Sequence, residues 1–242
     1  MKEKTMPKIV VLTGAGISAE SGIKTFRDAG GLWEGHKIED VATPEAWYRQ
    51  PSVVLDFYNE RRKQLLTVEP NPAHYSLHKL EQEHDVVIIT QNVDDLHERA
   101  GSNNIIHLHG ELLKVRSSSY EHLVYEWKKD LLIGDVCERG SQMRPHIVWF
   151  GEMVPMLEQA IEEIMDADIV LIVGSSMQVY PAASLVGYAP RDAAIFYVDP
   201  NPQINYEMKM RPGLEIIAKP ASVGVAEIVE RILNKHGAGS RE

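Results

Sequence analysis

Cys137 is the only cysteine in this 242-residue chain. That excludes an intrachain disulfide and any metal site assembled from several cysteines. Long apolar runs are also missing. The longest, such as Ile9–Leu12 and Ile169–Val173, are of strand length, against the roughly 20 residues a membrane helix needs. Met1–Lys8 is charged and lacks the apolar centre of a signal peptide, so a cytoplasmic location is expected. Basic side chains are the minority, 25 Lys and Arg against 35 Asp and Glu, for a formal net charge of −10. Binding phosphates needs clustered cations, so nucleic acid is not an expected partner. An acidic field attracts basic, lysine-rich protein surfaces instead. There are no internal repeats and no low-complexity tract, and only Gly237–Glu242 reads as a frayed end. Hydrophobic residues are present in ordinary measure, 44%, enough for one large domain with a smaller module attached.

Short runs rich in Val and Ile recur along the chain: Ile9–Thr13, Val86–Thr90, Ile105–Leu108, Ile169–Val173 and Ala194–Val198. Continuous rather than alternating hydrophobicity marks strands buried on both faces. Helical patterns lie between them at Ala73–Glu83, Met156–Met165 and Val223–Asn234. The alternation predicts an α/β fold, a Rossmann-like doubly wound parallel sheet. Two stretches break the rhythm. Residues 36–72 read as helical, punctuated by Pro44, Pro51, Pro70 and Pro72, and residues 111–146 are charged and irregular at their ends. The expected division is a main domain of 1–35, 73–110 and 147–242, with a small helical module built from 36–72 and 111–146.

Gly14–Ala15–Gly16–Ile17–Ser18–Ala19 directly follows the first expected strand. Glycines there allow a tight turn and close approach of backbone to a pyrophosphate, which a helix N-terminus then stabilises. A plain tight turn explains the same residues. A hydride-transferring enzyme also needs an acidic residue about 20 positions on, at the end of a second strand. Arg27–Asp28–Ala29–Gly30–Gly31–Leu32–Trp33 reads as a loop instead.

Gln91, Asn92 and Asp94 follow the end of a strand, where open α/β sheets bind ligands, although Asn and Asp also serve there as helix caps. His107 and His109 flank Leu108 at strand spacing and share a face. Imidazole suits acid–base work near neutral pH, yet a lone strand-end histidine is more often structural. Leu55, Tyr58, Arg62, Leu65 and Leu66 fall on one side of a helix, with Tyr58 and Arg61 neighbours on its surface. Taken alone, the run Glu60–Lys63 favours a solvated charged face. Tyr120, Leu123, Val124, Trp127 and Leu131 follow an amphipathic helix stripe.

The continuous run from Gly14 to Trp33 resembles the sirtuin signature. Thr90–Asp95, His107–Glu111 and Gly174–Pro181 match that family in the expected order. The resemblance extends from about Ile9 to Leu233. It implies an NAD-dependent protein-lysine deacylase in which NAD is consumed as co-substrate and no hydride moves. It makes His109 the general base and leaves His107 structural. Asn92 and Asp94 would hold the nicotinamide riboside end and Gln91 would contact ribose. Gly14, Ala15, Gly16, Ser18, Arg27 and Trp33 would bind the cofactor, with Phe26 shielding the reactive ribosyl species from water. Gly174, Ser175 and Ser176 would wrap phosphate or ribose, Asn201 would contact adenosine ribose, and Ala221 adenine. In the implied reaction the acyl carbonyl oxygen attacks the ribose carbon that bears nicotinamide. His109 then deprotonates a ribose hydroxyl, and the products are free lysine and O-acyl-ADP-ribose.

Tyr-x-x-Arg in this helix marks class III sirtuins, where the pair binds the carboxylate of succinyl- or malonyl-lysine. Tyr58 and Arg61 supply it, and Ala42 fits the small residue that widens the acyl pocket. Val148, Phe150, Gly151 and Glu152 belong to the segment the family pairs with substrate backbone as an added strand. The chain departs from the family at zinc. Where two cysteine pairs are usual, it has Ser117–Ser118–Ser119 and the lone Cys137. One thiolate cannot close a tetrahedral site, so zinc is expected to be absent, its place taken by a helix over Tyr120–Leu131. A monomer acting on acyl-lysine proteins is expected. A mono-ADP-ribosyltransferase or NAD glycohydrolase on the same scaffold, or a non-catalytic NAD or ADP-ribose binding module, are the alternatives.

Overall fold

The computed structural model describes residues 6–24, 32–33 and 35–237, the side chains of 32–33 and 235–237 excepted. β1 (Lys8–Thr13) leads through two 3-10 turns, Ala15–Ile17 and Ala19–Ser21, to an antiparallel ribbon of β2 (Leu32–Trp33) and β3 (His36–Lys37). The helices α1 (Ile38–Val41), α2 (Pro44–Arg49), α3 (Pro51–Leu65) and α4 (Pro72–Glu81) follow. Pro44, Pro51 and Pro72 each open a helix, where a missing N–H is harmless because that donor has no partner inside the helix. Three of the four prolines that punctuate the sequence therefore mark helix starts, Pro70 being the exception.

Next come β4 (Asp85–Thr90), α5 (Leu96–Ala100), β5 (Ile105–His107), β6 (Gly110–Ser117), β7 (Val124–Glu126) and β8 (Met143–Ile147). The chain closes with α6 (Leu157–Met165), β9 (Ile169–Val173), a 3-10 stretch Ala182–Tyr188, β10 (Ala194–Val198), α7 (Tyr206–Lys209), β11 (Glu215–Ile217) and α8 (Ala221–Gly237).

Six strands form one parallel sheet in the order β11–β10–β9–β1–β4–β5. The continuous apolar runs have a direct cause. Val10, Leu12, Val87 and Ile172 face the layer of α6, the 3-10 stretch and α7. Their neighbours Ile9, Val11, Ile88 and Leu171 face α4 and α8. Each fully buried Val, Leu or Ile contributes about 1.5–3 kcal/mol, so the sheet is stable only with both faces covered. The five strands expected from sequence are present. β11 is an addition, three residues long and too short to show a period. Strand order reverses between β1 and β9, whose last residues, Thr13 and Val173, are paired. Such a reversal opens a crevice at the carboxyl ends of the strands.

The second insertion differs from its expected form. It is an antiparallel sheet, β7–β6–β8, and no helix forms over Tyr120–Leu131. β6 supplies the competing backbone partners: Ser117 N donates to Leu123 O at 3.0 Å and Trp127 N to Leu113 O at 2.7 Å. The apolar stripe is still satisfied, because Tyr120, Leu123 and Trp127 pack against a core that includes Leu131, while Val124 is exposed. That core joins the two insertions, with Val54, Leu55, Tyr58 and Leu65 of α3 meeting Leu112, Val115 and Met143 of the sheet. Asn59 fastens them further, its Nδ2 donating to Leu131 O at 3.0 Å and its Oδ1 accepting from Leu131 N at 2.9 Å. Arg62 Nε donates to Leu112 O at 3.1 Å and Nη1 to Asn59 Oδ1 at 2.8 Å. Arg62 is 1% exposed, and burial lowers its pKa to about 10. Within the charged run, Glu60 and Lys63 face solvent and pair with each other, while Arg61 and Arg62 turn inward. Leu66 leaves the expected apolar face. It lies just past the helix end and is exposed.

Candidate active site

The glycine loop after β1 crosses the loop after β9. Gly14 N donates to Val173 O at 3.1 Å and Gly16 N to Gly174 O at 2.8 Å. A Cβ on Gly16 would lie 2.6 Å from Gly174 Cα, and one on Gly14 2.8 Å from Gly174 O. Loop-to-loop contact therefore demands these glycines, whatever else approaches them. No α-helix begins here, contrary to the expected pyrophosphate-binding helix. The chain turns twice as 3-10, and Ser18 ends the first turn.

A cavity of about 540 Å³ occupies the crevice at the strand-order reversal. Gly14, Ala15 and Gly16 form part of its wall, with Gly174, Ser175 and Ser176 distant in sequence but adjacent in space. Exposed Asn201 and buried Ala221 stand on the same wall. Gln91, Asn92, Asp94 and His109 line it from the ends of β4 and β5. Gln91 is steadied by its Nε2, which donates to Ser175 Oγ at 3.0 Å. Ser18 differs from expectation. It is fully buried behind the wall, its hydroxyl donating to Asp94 Oδ2 at 2.9 Å and accepting from Asn92 Nδ2 at 3.2 Å. Phe26 and Arg27 lie outside the described residues, as does the side chain of Trp33.

His109 Nδ1 is 3.0 Å from Gln91 O. A carbonyl only accepts, so Nδ1 carries the proton and Nε2 keeps its lone pair. Burial lowers the pKa of His109 against the opposing pull of the Gln91 bond, which keeps the ring neutral and basic near pH 7. His107 points elsewhere, its Nε2 2.6 Å from Glu98 Oε1. Burial pushes the Asp94 carboxyl up to about 6, although the Ser18 hydroxyl favours the charged form.

Tyr58 and Arg61 reach the cavity from one face of α3, and Ala42 lines it too. Tyr58 is fully buried and its oxygen accepts from Trp149 Nε1 at 3.0 Å. Burial raises its pKa, so the phenol keeps its proton and remains a donor. Val148, Phe150, Gly151 and Glu152 form a further wall. They continue from β8, which is an edge strand of the small sheet. Val148 N donates to His109 O at 2.9 Å and Phe150 N to Ala42 O at 3.0 Å, so this segment braces both the histidine and the small residue. Glu152 is held by Arg144 at 2.7 and 3.0 Å and by Trp149 N at 2.8 Å. Arg144 keeps its pKa low despite burial.

The model of the Sir2 family matches residues 14–181. The chain belongs to the Sir2 family. An NAD-dependent protein deacylase of Helicobacter pylori (strain ATCC 700392 / 26695) is 61% identical over 195 residues, 81% of this chain and 85% of that one. Another NAD-dependent protein deacylase, of Bacteroides thetaiotaomicron, is 50% identical over 94% of this chain and 99% of its own length. The crystal structure of a Sir2 homologue–NAD complex aligns with a TM-score of 0.84 at 38% identity, covering 94% of this chain and 90% of that one.

Among the described residues around Cys137, no donor set matches the four-cysteine zinc site that the sequence resemblance raises. Cys137 Sγ lies 3.4 Å from Ser117 Oγ. Ser141 Oγ is 3.1 Å from Ser118 Oγ and 2.9 Å from Ser119 Oγ, while Ser118 Oγ also donates to Gln142 O at 2.7 Å. One thiol among mutually bonded hydroxyls does not fit a tetrahedral structural site. Among the described residues, Glu98, His107 and Glu111 have metal-ligand spacing, but Glu98 pairs with His107 and Lys114 holds Glu111 at 2.8 Å. Sequence reasoning also passed over Asp199, buried on the cavity wall at the end of β10. An acid ending a strand is the signal sought near residue 34. The sheet delivers it from far along the chain.

Proposed function

We propose that this Sir2-family enzyme, an NAD-dependent protein deacylase, removes succinyl and malonyl groups from lysine in preference to acetyl groups. The observation that carries the preference is a cavity wall bearing both Tyr58 and Arg61. A guanidinium matches a carboxylate bidentately, and the phenol adds a directional donor. An acetyl group offers them nothing to bind. His109 serves as base through Nε2. Asn92 and Asp94 orient the ribose that NAD supplies as co-substrate, and Asn201 contacts the adenosine ribose, a role that its place beside Asp199 on the cavity wall supports. The edge position of β8 supports substrate docking along 148–152. A net charge of −10 suits basic, lysine-bearing substrates. The reading includes a cytoplasmic monomer, a small module of 36–72 and 111–146, and no zinc.

The test is mass spectrometry of succinylated, malonylated and acetylated lysine peptides with NAD, on wild type, His109→Tyr and Arg61→Met. His109→Tyr should abolish turnover of every substrate. Losing two charge-assisted hydrogen bonds costs ~3 kcal/mol. Arg61→Met should therefore lower kcat/KM on succinyl-lysine by about a hundredfold, with acetyl-lysine changed by only a few-fold. Equal losses on both substrates refute the preference.

A further inference from the structure

Beneath the cavity floor lies a string of buried polar groups with no part in the reading above. Thr13 ends β1, Thr90 ends β4 and His97 sits on α5, and all three are 0% exposed. Thr13 Oγ1 donates to Thr90 Oγ1 at 2.8 Å. That uses its one proton, so at 3.2 Å from His97 Nε2 it accepts, and His97 carries its hydrogen on Nε2. Thr90 Oγ1 accepts a second bond, from Asn92 N at 3.0 Å. Bonds from the same two threonines fix the adjacent backbone: Gln91 N donates to Thr13 O at 2.9 Å and Leu108 N to Thr90 O at 2.9 Å. Gln91 O in turn receives the Nδ1 proton of His109.

His97 is an expensive residue to keep here. Its Nδ1 is buried without a hydrogen-bond partner, which typically costs about 1–3 kcal/mol. Its edge-on neighbour His74, with ring centroids 5.0 Å apart, also leaves Nε2 unpaired. Desolvation holds both rings neutral, so His97 is a fixed donor rather than a charge. A leucine would fill such a volume without the penalty. What the histidine alone provides is a directed hydrogen bond that orients the Thr13 hydroxyl towards Thr90.

We propose that His97, Thr13 and Thr90 form a dry hydrogen-bond relay that fixes the backbone at Gln91–Asn92, and through it the orientation of the catalytic His109 and of the Asn92 side chain. They are positioning residues, none of them on the cavity wall. The proposal rests on the reading of His109 as base. It predicts that the hydroxyl of Thr90, and not its methyl, sets the rate.

The test compares Thr90→Val, which keeps the shape and removes the acceptor, with Thr90→Ser, Thr13→Val, His97→Phe and His109→Tyr in the full-length enzyme. Each is assayed for kcat and KM on an acylated peptide, with Tm to verify folding. The expected result is a kcat at least about tenfold lower in Thr90→Val, because both buried hydrogen bonds that Thr90 Oγ1 accepts, from Thr13 Oγ1 and Asn92 N, are lost. KM for peptide should stay within about twofold, because residues 148–152 are untouched, and Thr90→Ser should recover most of the lost rate. Thr13→Val and His97→Phe should show the same split with smaller losses. Unchanged kcat in Thr90→Val, or Thr90→Ser no better than Thr90→Val, overturns the relay. Full activity in His109→Tyr would instead overturn the reading of the base, an outcome separate from any behaviour of the threonines.

Discussion

Substituting Gly174→Ala tests how the crevice is built. Gly174 has φ +59, and a Cβ there would lie 2.3 Å from Ile17 N and 2.4 Å from Gly16 C. Two penalties follow. A left-handed backbone costs a non-glycine residue about 1–2 kcal/mol, and overpacking adds about 1–3 kcal/mol, so the sum is about 2–5 kcal/mol. For a chain of this size each kcal/mol lowers Tm by about 2–4 °C, which places the drop between roughly 4 and 20 °C. Gly213→Ala separates the two penalties, since Gly213 has φ +78 but no atom within 4 Å of where a Cβ would lie. It carries only the conformational cost, about 1–2 kcal/mol. Differential scanning fluorimetry of both variants, with and without NAD, reads the difference. Gly174→Ala should also lose the stabilisation by NAD that Gly213→Ala retains, because the Gly16–Gly174 contact forms cavity wall. If the two variants melt together and respond alike to NAD, the close backbone contact is not what holds the loops.

Two further outcomes are expected. Burial lowers the pKa of His109 from 6.5, and only the neutral ring accepts a proton. Therefore kcat/KM should be flat above neutrality and fall with decreasing pH through a value below 6.5. Asp94→Asn identifies the group responsible, because Asp94 titrates at about 6; a limb centred above pH 7, or one that disappears in Asp94→Asn, contradicts the assignment to His109. Elemental analysis should find no stoichiometric zinc, and EDTA should leave Tm unchanged, because a structural zinc site contributes folding energy directly. One zinc per chain refutes the hydroxyl-tied module.

The parallel sheet was legible because its strands are buried on both faces, and burial writes a continuous apolar run that needs no tertiary information. The helical character of 36–72 was legible, but Pro44, Pro51 and Pro72 read there only as punctuation; that they open α2, α3 and α4 emerges from the fold. The cavity-lining motifs at 14–16, 91–94, 109 and 174–176 follow the carboxyl ends of β1, β4, β5 and β9, whereas Tyr58 and Arg61 reach the cavity from a helix. The segment Tyr120–Leu131 was not legible. Its apolar spacing suits a helix, but β6 offered its backbone a partner and α3 offered its side chains a core. Secondary structure there was decided by β6, whose residues bind the segment's backbone, and by α3, whose Asn59 holds Leu131 from 72 positions away.

The order of residues along the chain dictates which chemistry is available: an imidazole at 109, a phenol and a guanidinium one turn apart, glycines at 14 and 16, and a single thiol. How those groups are used is a matter of folding. The Gln91 carbonyl sets the tautomer of His109, and burial of Tyr58 makes its proton stay. Packing withdraws Ser18 from the cavity wall, and the contact with Gly174 is what requires the glycines. These are consequences of distance and desolvation between chain segments far apart in sequence, and no local pattern of residues encodes them.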